Sequence, residues 1–578
     1  MGLALMIPLF AVCAHAAIGD YDFSNPKDGD IDGLDLSQFI ANYDPADLAD
    51  FASYFGSTYT ITTRRPNILL IVGDDIGFDV TTDMYPGLID DLLGLYGPGG
   101  PSYDPDYQNI DPVNDGPAST PVLDSLASQG MRFSNAWVQP FCSPTRASIM
   151  TGLFTAKHNV TTYETYLSEN HTTFVQKLKE DAGYGDGGYS TAAFGKWHIA
   201  GVPLNASNGM MPRQAGFDLY RGILGAAPNS YWNPNGYVKQ DDSTGDEGTA
   251  PVTVVARELD GIGPTTYLPV VKVADTIDWI NEKQTQNADK PWFAYLAMNL
   301  SHAKAGSPLM VVPDEDTLNC DENVQFCNEI SSCSGDKFGS ASECYNCTET
   351  CTGVQLMRAM TTSMDTVIGK LLEAVDSIPS DTYVIYIGDN GTPMYSFSPS
   401  LGLQIGNMYI HPENRGKGTA YESGARVAMA IKGPGIEAGQ SSEFVHGVDL
   451  FSTILELAGL TPPVSVPDYT GASTPLDAVS LIPILFDGAD TVRDPNGDYI
   501  LTDANNIMPG STGGKWAGAR NGKYKVVCKD GIGTGNCEFY DLEIDPLEEH
   551  PLDQYETTSC GGWGTDDPQW HYCHLINV

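Results

Sequence analysis

The chain predicts an α/β fold, with a large, mostly parallel or mixed central sheet flanked by helices and a smaller C-terminal α+β subdomain. Three observations carry this. Continuous apolar runs such as Ile68-Leu69-Leu70-Ile71-Val72 and Tyr383-Val384-Ile385-Tyr386-Ile387 read as strands covered on both faces, as parallel sheets require. Helical patterns alternate with them, notably the amphipathic stretch 354–375, which has one apolar side to lay on a sheet. Beyond a Pro- and Gly-rich passage around 462–488, strand-like runs return at 524–527 and 538–542.

With 578 residues one large domain with attachments is the natural organisation. Residues 1–16 form an apolar run ending Ala14-His15-Ala16, a small-x-small cleavage pattern that reads as a signal peptide, although its start lacks Lys and Arg. Residues 17–60 are acidic. Asp28, Asp30, Asp32 and Asp35 alternate around Gly29 and Gly33 as a calcium loop requires. The stretch resembles dockerin or EF-hand-like repeats, and it reads equally as a solvated linker. The main domain is expected over 64–490, with a Cys-rich insert at 320–351, and a C-terminal subdomain over 491–578.

Lys and Arg number 30 against 74 Asp and Glu, a formal charge of −44. That balance excludes nucleic acid and an anionic membrane surface as partners and repels a long polyanion unless the cleft is locally basic. No later segment is long enough for a membrane span. Of 12 cysteines, Cys13 falls in the signal and Cys142 in a motif of its own. Cys320, Cys327, Cys333, Cys344, Cys347 and Cys351 crowd the insert, and Cys528, Cys537, Cys560 and Cys573 the tail. Zinc at Cys344-x-x-Cys347, or at Cys560, His571, Cys573 and His574, is the alternative to disulfides, which an exported chain favours. Asn159, Asn170, Asn205, Asn299 and Asn346 head Asn-x-Ser/Thr triplets, a glycosylation cue only in a eukaryotic source.

Taken in order, the first apolar strand ends in Gly73-Asp74-Asp75. Adjacent acids after a buried strand repel unless a cation lies between them. A helix at 121–128, stopped by Gly130, leads to a strand at 131–138 and then to Phe141-Cys142-Ser143-Pro144-Thr145-Arg146. Ser143 suits an N-cap and Pro144 the first helical position. Cys142 therefore faces free backbone amides that favour an anion, with Arg146 one turn beyond. Later apolar segments end in Gly195-Lys196-Trp197-His198, Ser301-His302 and Gly388-Asp389-Asn390-Gly391. In open α/β sheets that edge is where ligands bind. Lys417 lies between Gly416 and Gly418, whose mobility suits a cation presented to a ligand. Asp449 reads as a helix cap.

Together the strand ends offer three carboxylates and an amide, hard oxygen ligands suited to Ca²⁺ or Mg²⁺. Arg146, Lys196 and Lys417 add positive charge for a tetrahedral oxyanion, and His198 and His302 move protons near neutral pH. The implied chemistry is hydrolysis of a tetrahedral oxyanion ester.

These residues resemble the type I sulfatases of the alkaline phosphatase superfamily from about Pro66 to the C-terminus. The most specific mark is Cys142-x-Pro144-x-Arg146 continuing to Thr151-Gly152, supported by Lys417-Gly418-Thr419 and the terminal Phe539-Tyr540-Asp541-Leu542. The resemblance implies an alkaline phosphatase-like fold and oxidation of Cys142 to formylglycine (3-oxoalanine) by a formylglycine-generating or sulfatase-maturating enzyme. The hydrated aldehyde supplies the nucleophilic oxygen. By the same likeness Asp74, Asp75, Asp389, Asn390 and residue 142 hold calcium, and Arg146 steadies the nucleophile. Lys196, His302 and Lys417 contact the sulfate and leaving group. His198 deprotonates residue 142 and later helps expel sulfate from the covalent hemiacetal. In many relatives the histidine matching His302 is followed by small residues and proline, whereas here Ala303-Lys304-Ala305-Gly306 precedes Ser307-Pro308.

The expected protein is a secreted or periplasmic sulfatase acting on an aryl sulfate or a sulfated sugar or glycan. Its specificity is expected from the loops at 220–260 and 320–351. A phosphonate or phosphate ester hydrolase on the same scaffold, and a non-catalytic calcium-binding exported protein, are the alternatives.

Overall fold

The computed structural model describes residues 65–577 apart from single and paired positions and the segments 85–93, 96–98, 102–116, 181–187, 201–208, 304–310, 319–352, 394–414, 507–513, 530–535 and 553–566. The expected signal peptide, the acidic segment with Asp28, Asp30, Asp32 and Asp35, and the cysteines of the 320–351 insert lie outside the described residues.

Ten strands form the main sheet: β1 (Asn67–Gly73), β2 (Met131–Trp137), β3 (Ser190–Lys196), β4 (Leu219–Ile223), β5 (Tyr237–Gln240), β6 (Ala250–Pro251), β7 (Trp292–Ala297), β8 (Thr382–Gly388), β9 (Met429–Lys432) and β10 (Gly439–His446). Their order is β10-β2-β9-β8-β1-β7-β3-β4-β5-β6. Strands β8, β1, β7, β3 and β4 run parallel. Strand β9 is antiparallel to both of its neighbours, and β5 and β6 continue as an antiparallel meander. The sheet is therefore mixed with a parallel centre.

The apolar run of β1 has the cause expected of it. Leu69 and Ile71 enter one core with Leu123, Val270 and Met364, while Ile68, Leu70 and Val72 enter the other with Ile149, Phe174 and Phe451. Helices α1 (Pro121–Gln129), α3 (Leu268–Gln286) and α4 (Gly353–Asp376) cover the first face, and α2 (Cys142–Thr151) and α5 (Leu450–Leu457) the second. Each fully buried aliphatic side chain contributes about 1.5–3 kcal/mol, so this sandwich is the main source of rigidity under the site. Helix α1 has no cap bond from Thr120. Instead Asp365 of α4 accepts from the N–H groups of Val122 (3.0 Å) and Leu123 (2.8 Å).

Register brings the strand ends together. Gly73 lies opposite Gly388, and Ala297 lies opposite both Val72 and Gly195. Four parallel strands thus release their polar residues along one edge. Gly195 is required there: its φ is +97°, and a Cβ would stand 1.9 Å from the carbonyl oxygen of Ala297, a contact no side chain can make.

Near the C-terminus β11 (Ile500–Asn506), β12 (Gly514–Arg520), β13 (Tyr524–Lys529) and β14 (Cys537–Asp541) form a separate antiparallel sheet. Helix α6 (Pro568–Ile576) packs on it through Tyr572, Leu575 and Ile576. Cys528 and Cys537 form a disulfide between β13 and β14, and Cys573 is disulfide-bonded as well. The zinc reading of the tail fails for that reason. His571 Nδ1 lies 2.8 Å from Asn521 Nδ2, and His574 Nδ1 lies 2.8 Å from the Trp570 carbonyl. Among the Asn-x-Ser/Thr positions, Asn159 and Asn170 are exposed, whereas Asn299 is wholly buried and closed to modification in the folded chain. Asp449 is a structural residue as expected, accepting from the N–H of His446 at 2.8 Å and pairing with Arg493.

Candidate active site

Cys142 opens α2, but the cap differs from the expectation. The helix begins at Cys142 with Phe141 as N-cap, because the Phe141 carbonyl accepts from the Thr145 N–H at 3.2 Å. Pro144 is then the third helical residue, and the Ser143 hydroxyl has no hydrogen-bond partner. The consequence for chemistry is unchanged, since the first-turn amides at Cys142 remain unpaired within the helix.

Each carboxylate at the edge has a cationic partner. Lys196 Nζ lies 2.9 and 2.8 Å from the two oxygens of Asp74. Arg146 reaches Asp389 Oδ2 through Nε (3.1 Å) and Nη2 (2.7 Å). Lys417 pairs with Asp75 Oδ1, which also accepts from Asn390 Nδ2 at 2.8 Å. The Lys417 ammonium stands 3.3 Å from Cys142 Sγ. Arg146 further donates to the Lys196 carbonyl (3.0 Å) and the Tyr295 hydroxyl (3.1 Å). The arginine therefore braces Asp389 and the end of β3 instead of presenting itself to an anion.

The charges are set by this crowding. Burial opposes the charge on Lys417, but Asp75 beside it raises its pKa above the ordinary lysine value. Burial pushes the Asp74 carboxyl up to about 8, with Asp389 and Asp75 adding to the rise against the opposing pull of Lys196. Burial likewise pushes the Cys142 thiol up to about 11, so the encoded side chain is a poor nucleophile at neutral pH. His198 is held well below the usual histidine value by burial and then by Lys196 and Arg146. His302 is pushed down to about 3, chiefly by burial and with Lys417 and Lys196 contributing. Both imidazoles are therefore neutral at neutral pH.

The donor atoms of Asp74, Asp75, Cys142 and His302 lie within 4.8 Å of one another. Asp389 joins this group through its Oδ1, which accepts from the Asp75 N–H at 3.1 Å, and Asn390 through Asp75. Asn390 Oδ1 is buried without a partner. An orphaned amide oxygen beside three crowded carboxylates is what a hard divalent cation satisfies, so these residues fit Ca²⁺ or Mg²⁺. His198 is buried with neither ring nitrogen bonded, a cost that a bound polar group removes. Asp75 and His198 both have left-handed backbone, φ +62° and +60°, strain of the kind stored at functional positions.

All ten residues expected from the sequence thus fall along one sheet edge. Tyr295 and Tyr231 were not foreseen. Tyr295 looks like one more apolar residue of β7, and only its register opposite Leu70 and Ala193 sends its hydroxyl to Arg146. The Tyr231 hydroxyl reaches the carbonyls of Asn299 and, at 2.7 Å, of His302. No motif marks it.

Residues 66–460 match the Sulfatase family. The chain belongs to the sulfatase family. As a sulfatase it is a sulfuric ester hydrolase, and its relatives agree. It is 25% identical over 460 residues to the N-acetylgalactosamine-6-sulfatase of Canis lupus familiaris, covering 74% of this chain and 68% of that one. It is 26% identical over 475 residues to arylsulfatase A of Homo sapiens, covering 80% and 75%. Among solved structures, the sulfatase shares its fold with BT4656, solved in complex with its substrate D-glucosamine-2-N,6-O-disulfate. There the TM-score is 0.53 at 18% identity, covering 84% of this chain and 93% of that one. No helix among the described residues is long and apolar enough to cross a membrane.

Proposed function

We propose that this sulfatase hydrolyses the sulfate ester of a sulfated carbohydrate or aryl sulfate, that Cys142 is converted to formylglycine by a maturation enzyme, and that Asp74, Asp75, Asp389, Asn390 and residue 142 hold a divalent cation, Ca²⁺ or Mg²⁺. The observation that carries the reading is the position of Cys142. It sits at the mouth of a helix, 3.3 Å from a buried ammonium and among carboxylates, yet its thiol is held protonated.

When bound, the cation would supply Lewis-acid polarisation at residue 142 and at a sulfate oxygen. The rest falls to the chain itself. Lys196 and Lys417 are paired with Asp74 and Asp75; were those carboxylates to hold a cation, the ammonium groups would be available to the anionic ester. His198, neutral and unpartnered, accepts the proton of the attacking hydroxyl at residue 142. Lys417 and His302 are the groups we assign to the leaving oxygen, where negative charge gathers. Arg146 keeps Asp389 and β3 in place while this happens. The apolar run at residues 1–16 supports export of the chain, and the acidic segment 17–60 remains a proposed calcium module or linker.

Paired assays of an aryl sulfate and the matching aryl phosphate with matured enzyme test the reaction class. Sulfate turnover is expected to exceed phosphate turnover by about 100-fold or more in kcat/KM, a difference of at least ~2.7 kcal/mol in transition-state stabilisation. Faster phosphate cleavage would assign the phosphoesterase chemistry instead.

A further inference from the structure

The loop that carries Lys417 is tied to the C-terminal subdomain on both flanks as well as to the catalytic core. We infer that this subdomain is a positioning device for the Lys417 ammonium, acting through a buried ionic joint of Glu422, Lys525 and Glu548. The inference rests on the reading above that Lys417 contacts the ester.

Lys417 ties its own N–H to the Thr392 carbonyl, and the next residue, Gly418, ties its N–H to the Pro140 carbonyl, both at 2.9 Å. Both flanks of the loop are held from elsewhere. On one side Arg415 donates to the Glu548 carbonyl and lies 4.7 Å over the ring of Tyr421. On the other, Tyr421 donates to Glu538 Oε2 at 2.5 Å and packs against Trp516 and Tyr540. Glu422 then gives its N–H to Glu548 Oε2 at 2.5 Å, while its own Oε1 lies 3.1 Å from Lys525 Nζ. Lys525 also pairs with Glu548 Oε1 at 2.5 Å.

The joint is dry. Glu422, Glu548, Lys525 and Arg520 are each at most 2% exposed, and Arg426 also stands 3.8 Å from Glu422 Oε2, so two acids face three bases. Lys525 Nζ sits 4.0 Å from the Trp137 ring and Arg520 5.1 Å from it. Trp137 ends β2, the strand that delivers the chain to Cys142. One cluster therefore abuts both the lysine loop and the approach to the nucleophile. Buried ion pairs add little stability over apolar residues of the same volume, because desolvation offsets the attraction. What such a joint adds is a single geometry, and an ammonium that must meet one leaving oxygen depends on placement to within a fraction of an ångström.

A double-mutant cycle on the full-length matured enzyme, read with an aryl sulfate, tests this. Lys417→Ala is expected to lower kcat by about 100-fold or more. Glu548→Gln, which keeps size and polarity, is expected to lower kcat by about 10-fold with KM changed less than about twofold, and to add less than about twofold in the Lys417→Ala background. Should Glu548→Gln fail to fold, as judged by circular dichroism, Tyr421→Phe replaces it in the cycle. Glu538 there keeps the Tyr540 hydroxyl at 2.6 Å, and a drop of about fivefold in kcat that vanishes beside Lys417→Ala is expected. Wild-type kcat in the joint variant, or the same loss with and without Lys417, overturns the positioning role while leaving the lysine's own role intact. Wild-type activity in Lys417→Ala overturns both.

Discussion

Cys142→Ala is expected to lower kcat/KM by about 10⁴-fold or more, ~5.5 kcal/mol or more of transition-state stabilisation, while leaving the fold intact. Cys142 is small and buried at the start of a helix whose other first-turn bonds do not involve its side chain, so alanine fits without a clash. Cys142→Ser separates two chemistries. A serine hydroxyl in the same mouth can accept the sulfuryl group, with its proton passing to neutral His198, but it lacks the second hydroxyl that expels the product. The serine variant is expected to release one equivalent of alcohol per enzyme and then stop, with sulfate retained on the peptide. Steady turnover by the serine variant contradicts the account, since a single hydroxyl would then suffice.

The second large effect concerns the cation. Dialysis of the matured enzyme against a chelator is expected to lower activity by about 10³-fold or more, with recovery on adding back Ca²⁺ or Mg²⁺. Asp75→Asn is expected to do the same without recovery, because it removes one charge from the carboxylate group and the partner of Lys417 at once. Metal analysis distinguishes the causes: about one equivalent of divalent cation in the native enzyme and little in Asp75→Asn. An enzyme that is fully active after exhaustive chelation, with no bound metal, contradicts the cation assignment.

The sheet edge was readable because buried strands must be apolar along their whole length. Polar residues that follow such a run without a break, as at Asp74, Lys196, His302 and Asp389, therefore announce a functional edge. The helix start was misjudged by two residues. Ser143 and Pro144 have the local preferences of a cap, but the Phe141 carbonyl closes the first turn two residues earlier, and tertiary burial leaves the serine hydroxyl unpaired. The C-terminal joint could not be read at all. Lys525 lies in a strand where alternation predicts an exposed side chain, and Glu548 in a loop. Only the meeting of sheet and loop makes either one internal. Arg146 is an intermediate case: its residue type points to an oxyanion, whereas Asp389 and Tyr295, both distant in sequence, claim its donors.

The claim on which the rest depends is that Cys142 is encoded to be replaced. Mass spectrometry of the peptide containing residue 142, from protein made in its native host, tests it most directly. The account predicts a peptide lighter than the encoded one by the difference between a CH₂SH and a CHO group, reactive toward hydrazides. An unmodified, alkylatable thiol at that position in fully active enzyme would contradict it.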